Sequence, residues 1–400
     1  MRVVIAGGGT GGHTSAGLAV VAALERRDGV EIHWIGSKRG IEARRVPEAG
    51  VPFHAIPAGK LRRYWDWKNV TDLGVRVPAV LARSWLLLRR LSPDVLFVTG
   101  GFVALPPALA ARSLRIPVVI HEQTASVGLA NRIAGRFAAR IALTFPLAGG
   151  EFPASRVTIT GNPIRPGLLG GSREEACRLF ALDPARPIVY VTGGSQGSHR
   201  INRTVGEALP RLLALAQIVH QCGDNPETRD LGWLGARADR LPPDLRGGYV
   251  VRAHLGPELR HVYAGADLVI GRSGAGTVNE CCHLGRPALY IPLPGTSGDE
   301  QTANARLVAA AGGAVVLPQV ALAPERLLEA VTGLLADRAA LRSMGEHARS
   351  LAVVDAAERI TRLILEAAAP GCRSGADGSR SGAGPGSRAC PPPPGGPGTR

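Results

Sequence analysis

Aromatic residues make up only 4% of this 400-residue chain. A base-stacking surface needs several of them on one sheet, so no nucleic-acid partner is expected. The six cysteines, Cys177, Cys222, Cys281, Cys282, Cys372 and Cys390, include no CxxC pair. That excludes zinc-finger spacing and a disulfide framework, and it fits a reducing compartment. No uninterrupted apolar run reaches the roughly 18 residues of a membrane span. Glycines break the N-terminal apolar run at once, so no signal peptide is expected either. No glycine run leads into Lys-Ser or Lys-Thr, which argues against P-loop hydrolysis of ATP. Asp-x-Asp is also missing, and with it the usual carboxylate pair for Mg²⁺ on a sugar diphosphate. Neither a metal site nor another cofactor is expected.

What the chain does have is positive charge, formally +15. Much of it is concentrated: between Ser37 and Arg90 twelve Lys/Arg face four Asp/Glu, an excess of eight. Part of this segment interleaves with aromatics, in GKLRRYWDWKN (59–69) and ARSWLLLRRL (82–91). An apolar surface rimmed by cations suits an anionic membrane face or a lipid-linked phosphate, which predicts a peripheral protein on the cytoplasmic side. The plainer reading is a solvated basic helix whose Trp and Leu face the core.

Short apolar runs alternate with helical stretches along the chain. RVVIAG, VEIHWIG, DVLFVTG, IPVVIHE, RIALTF and RVTITGN supply strands as far as residue 162. GNPIRPGLLGG (161–171) breaks the rhythm and reads as the passage between domains. A second series follows: RPIVYVTGG, AQIVHQCG, YVVRAHL, ADLVIGR, PALYIPLP and GAVVLP. Helices are expected at about 18–27, 200–214, 276–285, 301–311, 324–336, 338–350 and 354–368. This alternation predicts an α/β chain of two doubly wound, Rossmann-like parallel-sheet domains in tandem. Beyond Pro370 nine glycines and six prolines fall in thirty residues without apolar periodicity, so the tail 370–400 is expected to be disordered.

Three strand-to-helix turns are rich in small residues: Gly7–Gly12, TGGSQGS (192–198) and GRSGAGTVNE (271–280). Such a turn presents amides, and the helix dipole adds partial positive charge, so each is a natural phosphate site. Gly7, Gly9 and Gly12 match the dinucleotide pattern GxGxxG, a weak signal that leaves NAD open at that turn. In the third turn Ser273, Gly274, Ala275, Gly276 and Thr277 offer amides to a diphosphate. Glu280, two helical turns after Ser273, is placed to accept from ribose hydroxyls. Gln301 and Asn304 open another helix, where Gln301 can meet sugar hydroxyls. His13 lies inside the first turn and, with a near-neutral pKa, suits a general base. His121, Glu122 and Gln123 stand at the end of another strand, on the edge where α/β folds bind ligands. Without a metal pair, a leaving diphosphate would be stabilised by amides, the helix dipole and Arg165 from the hinge.

GGTGGH (8–13), GKLRRY (59–64), HEQ (121–123), GNPIR (161–165), GGSQG (193–197), RSGAGTVNE (272–280) and EQTANA (300–305) together resemble the bacterial peptidoglycan N-acetylglucosaminyltransferases. The resemblance runs in order from about residue 2 to 365. It implies a GT-B fold and inverting transfer of N-acetylglucosamine from UDP-GlcNAc to undecaprenyl-diphospho-N-acetylmuramoyl-pentapeptide. An acceptor and membrane domain (1–162) would be followed by a donor domain (163–350), and a last helix (351–369) would return to the first. The donor residues would fall on Thr10, Gly11, Gly12, Thr124, Arg165, Ser195, Ala275–Glu280 and Gln301, with a backbone contact to uracil near Leu255 or Gly256. His13 would be the base, and His121, Glu122 and Gln123 would lie on the acceptor side.

The chain departs from the family pattern in places. After the histidine it reads Thr14-Ser15-Ala16 where Val/Ile-x-Pro is usual, losing a proline that fixes φ. Thr124 stands for the usual Asn, one hydroxyl replacing an amide's donor and acceptor. SGDEQT replaces the common ADNHQT. These changes leave open a transferase with another lipid-linked acceptor. They also leave room for a UDP-GlcNAc 2-epimerase and for a non-catalytic, membrane-peripheral UDP-sugar binder.

Overall fold

The computed structural model describes residues 1–57, 77–146 and 150–369. The basic aromatic stretch 59–69 and the tail 370–400 lie outside them. Two parallel sheets dominate. The first comprises β1 (Arg2–Gly7), β2 (Glu31–Ser37), β3 (Phe53–Ile56), β4 (Val95–Gly100), β5 (Val118–Glu122), β6 (Arg140–Leu143) and β7 (Val157–Ile159), in the order β3-β2-β1-β4-β5-β6-β7. The second comprises β8 (Ile188–Thr192), β9 (Gln217–Gln221), β10 (Tyr249–Arg252), β11 (Leu268–Gly271), β12 (Ala288–Tyr290) and β13 (Ala314–Val316), ordered β10-β9-β8-β11-β12-β13.

Continuous Val/Ile/Leu runs form these strands because helices cover both faces, so side chains on either side must be apolar. In the first sheet Val4, Leu96 and Ile120 pack into one core layer, while Val3, Ile5, Phe97 and Val119 pack into the opposite layer. Ile188, Tyr190 and Val269 against Val189, Val191 and Ile270 repeat this arrangement in the second. Helix Ala356–Ala368 carries Ile360, Leu363, Ile364 and Ala367 into the core beneath β1 and β4, so the chain ends against its first domain. Arg26 and Arg27 pair with its Glu358 there.

The strand orders fix where a ligand belongs. In the first sheet the winding reverses between β1 and β4; in the second it reverses between β8 and β11. The carboxyl ends at such a reversal leave a crevice, because the following helices diverge to opposite faces. All three small-residue turns lie there, after β1, β8 and β11.

Candidate active site

The turn after β1 is shorter than its glycines imply. Helix α1 (Gly11–Leu24) begins within it, capped by Thr10, whose hydroxyl accepts from the His13 amide at 3.5 Å. His13 therefore stands in the first turn of a helix rather than in a loop. Across the cleft, helix Ala275–Leu284 starts after Gly274 with no side-chain cap and no acidic residue in its first turn. Its amides stay free for an anion. The two helix starts converge: a Cβ on Gly12 would lie 3.9 Å from the Gly276 amide nitrogen, and one on Gly11 would lie 3.5 Å from Ser195 Oγ. Partial positive charge from two dipoles thus meets in one place.

The cleft between the domains has a volume of about 2050 Å³. A pocket for one small ligand is typically about 300–1,000 Å³, so two substrates fit side by side. Thr10, Gly11, Gly12, His13, Gln123 and Thr124 line the first wall; Ser195, Leu255, Gly274–Thr277, Glu280 and Gln301 line the second, with Arg165 from the hinge between. Arg165 Nη2 donates to Glu280 Oε1 at 3.1 Å, and the Tyr263 hydroxyl donates to Glu280 Oε2 at 2.8 Å. The carboxylate is held open to the cleft by a guanidinium and a phenol. Gln301 Oε1 accepts from the Leu293 amide at 3.0 Å, which leaves its amide nitrogen to face a ligand. Glu300 beside it is raised above the ordinary carboxylate range by burial and by the charge of Glu122.

His13 packs over Gly100, and its Nδ1 is buried without a well-formed hydrogen bond. Burial lowers its pKa, opposed by Glu122, the Thr99 backbone and Glu42. The imidazole is thereby kept neutral, able to accept a proton.

Several expected site residues lie beneath the cleft instead. His121 is fully buried, with Nε2 donating to the Gly161 carbonyl at 3.1 Å, and its ring is pulled down to about 4 by desolvation. It ties β5 to the hinge. Glu122 turns inward and accepts from the amides of Thr124 and Gly128 and from Asn131, so it shapes the loop behind Gln123. Ser273 is fully buried, its hydroxyl donating to the Gln301 carbonyl at 2.7 Å. Gly256 is not among the lining residues, and the Leu255 amide is already given to Gln221 Oε1 at 3.1 Å. Asn304 is buried as well: it accepts from the Ala125 amide at 2.8 Å and donates to the Ser273 carbonyl, tying the two domains. A polar side chain near a strand end looks the same in sequence whether it points out or in.

Two residues with work at the site escape a reading of the sequence. Tyr263 is one. Glu42 is the other: fully buried on α2 (Glu42–Glu48), it accepts from the Ser37 amide and hydroxyl and from the Gly9 amide. Gly8, at φ +148°, leaves the space this carboxylate occupies; a Cβ there would sit 2.2 Å from Glu42 Cδ. A glutamate inside a basic run carries no sequence signal of such burial.

Two family models match in series, the glycosyltransferase family 28 N-terminal domain over residues 3–143 and the C-terminal domain over residues 188–360. The chain belongs to glycosyltransferase family 28. Among its relatives, a Nocardioides sp. protein is 40% identical over 374 residues, 92% of this chain and 98% of that one. That relative is named UDP-N-acetylglucosamine–N-acetylmuramyl-(pentapeptide) pyrophosphoryl-undecaprenol N-acetylglucosamine transferase. A crystal structure of Acinetobacter baumannii MurG superimposes with a TM-score of 0.71 at 28% identity, covering 91% of this chain and 99% of that one. The family-28 architecture also resembles a UDP-GlcNAc 2-epimerase from Neisseria meningitidis, with a TM-score of 0.65 at 14% identity over 92% of this chain and 100% of that one, a likeness of fold alone. Two Rossmann-like domains facing a central cleft, the GT-B arrangement, are what these matches share.

Proposed function

We propose that this chain transfers N-acetylglucosamine from UDP-GlcNAc to the C4 hydroxyl of undecaprenyl-diphospho-N-acetylmuramoyl-pentapeptide, with inversion, the step that makes lipid II for peptidoglycan. The convergence of two helix N-termini from different domains, with His13 on one of them, carries this reading. It puts anion-binding amides beside a neutral base in a cleft with room for two substrates. The names of relatives alike over nearly the whole chain support the choice of substrates.

The UDP diphosphate lies against the amides of Gly274–Thr277 with Thr10, Gly11, Gly12, Ser195 and Arg165 around it. Glu280 accepts from the ribose hydroxyls, the wall at Leu255 takes the uracil, and Gln301 and Thr124 meet the sugar. The acceptor's C4 oxygen, on the side of Gln123, attacks the anomeric carbon as the bond to the UDP oxygen breaks. His13 removes the hydroxyl proton through the ring nitrogen that is not buried. The charge that develops on UDP falls where the two dipoles and Arg165 already point, so no reorganisation accompanies the step. The groups there are amides and a guanidinium, which bind anions and not cations.

No helix among the described residues is long and apolar enough to cross a membrane. Helix Val77–Leu91 exposes 62% of Leu86 among Arg83, Arg89 and Arg90, with Arg89 over the Trp85 ring. That face supports peripheral docking on the anionic cytoplasmic membrane, where the acceptor is anchored.

The test is UDP release by the full chain with UDP-GlcNAc, with and without a short-chain lipid I analogue, and a mass spectrum of the product. Acceptor-dependent release and a product heavier by one N-acetylhexosamine are expected. UDP-ManNAc as product, or UDP binding with no transfer, would overturn the reading.

A further inference from the structure

The first domain presents a basic rim to the cleft that the donor site leaves unused. Lys38 and Arg39 follow β2, Arg44 and Arg45 lie on α2, and all four line the cleft. Among the described residues, the side chains of Lys38, Arg39 and Arg45 have neither an ion pair nor a hydrogen bond. Arg44 has only a 3.7 Å contact with the exposed Glu48. Glu42, the acid in their midst, gives both oxygens to Ser37 and Gly9. It thereby fixes the rim to the first glycine turn without forming an ion pair with any of its cations.

Half-buried Arg45 is crowded as well. Burial, then the charges of Arg165 and Arg44, hold its guanidinium below the ordinary value. Arg165 is engaged by Glu280, so the sugar nucleotide accounts for that cation and for the helix amides. Like charges gathered in a partly desolvated wall are stabilised by a further anion, and guanidinium forks suit phosphoryl oxygens. At its far end the rim continues into Pro57, Ala79 and Val80, which also line the cleft. The last two belong to helix Val77–Leu91, the helix that exposes Leu86.

We propose that Lys38, Arg39, Arg44 and Arg45 form a second anion subsite, which takes the diphosphate bridge of the lipid-linked acceptor apart from the donor's diphosphate. The inference rests on the transfer reading above. The diphosphate is favoured over the peptide's carboxylates because the rim runs toward the apolar helix, and the phosphates are the charged groups next to the lipid.

The experiment compares wild type with the double variant Arg39→Gln/Arg45→Gln, using UDP-GlcNAc, a short-chain lipid I analogue and the same analogue with its peptide carboxylates amidated. Each lost charge-assisted contact is worth about tenfold, so KM for the acceptor should rise about a hundredfold. UDP affinity and kcat should stay within about twofold, which also shows that the variant is folded, and the acceptor's salt dependence should weaken. An unchanged acceptor KM overturns the subsite. So does a loss confined to UDP affinity, which would give the rim to the donor. Wild type losing the same hundredfold on amidation, with the variant indifferent, would assign the rim to carboxylates. Direct titration of the analogue decides the matter even without turnover; an absence of acceptor-dependent UDP release in wild type would instead count against the transfer reading.

Discussion

Acidification below about pH 6.5 is expected to destabilise each domain through one buried histidine. In the first domain His121 gives Nε2 to the Gly161 carbonyl, and its Nδ1 is buried with no partner, so a second proton has no acceptor. Desolvation, helped by the nearby His13, pulls it down to about 4. In the second, His220 donates to Asn202 Oδ1 and accepts from the Tyr249 hydroxyl, both at 3.0 Å, and burial pulls it down to about 3. Both values are depressed in the folded chain, so the unfolded chain binds the extra protons as pH falls. The stability is fully present above about pH 6.5 and is lost between there and about pH 4. Each histidine costs about 1.4 kcal/mol per pH unit, so from pH 6.5 to pH 5 the loss is about 2 kcal/mol per domain and about 4 kcal/mol together. Glu300 works the other way, since burial favours its protonated form in the fold. Urea unfolding of the full chain, followed by tryptophan fluorescence across this range and fitted by domain, measures the slope. His121→Gln and His220→Gln should each flatten one transition's pH dependence. A slope unchanged in both variants would refute the reasoning.

Other expectations concern the reaction. His13→Ala should lower kcat by about 10²–10⁴ with UDP affinity intact; a loss below about tenfold would leave His13 an orienting role. Because burial lowers the His13 pKa, the acid limb of kcat/KM should fall below about pH 6.5 and vanish in that variant. Glu280→Ala strands the Arg165 guanidinium and the Tyr263 hydroxyl and removes the ribose acceptor. Calorimetry should show UDP binding weakened about tenfold or more, and unchanged affinity would remove Glu280 from the ribose.

The doubly wound architecture is legible in the sequence because strands buried on both faces must be nearly all apolar, and VVIA, VLFV and IVYV leave little choice. Boundaries are less so. The pattern predicts helix α1 from residue 18, since Gly-Gly-His-Thr-Ser has poor helix propensity, yet it starts at Gly11. The Thr10 cap and the packing of Gly17 against Trp34 outweigh that propensity. Strand β3 escapes the pattern because FHAI is short and only its final residue is buried. At the cleft, backbone turns announce themselves through their glycines. The direction of side chains does not: His121 and Glu122 share a strand end with Gln123, and only the third opens to the cleft. Glu42 and Tyr263 act through partners distant in sequence, which no local pattern encodes.

The most direct test of the central claim, that amides and Arg165 hold the leaving diphosphate unaided by a divalent ion, is acceptor-dependent UDP release in excess EDTA. The account predicts a rate within about twofold of that in Mg²⁺, because the positive charge is built into two helix starts and a guanidinium. Turnover abolished by EDTA and restored by added metal would contradict it.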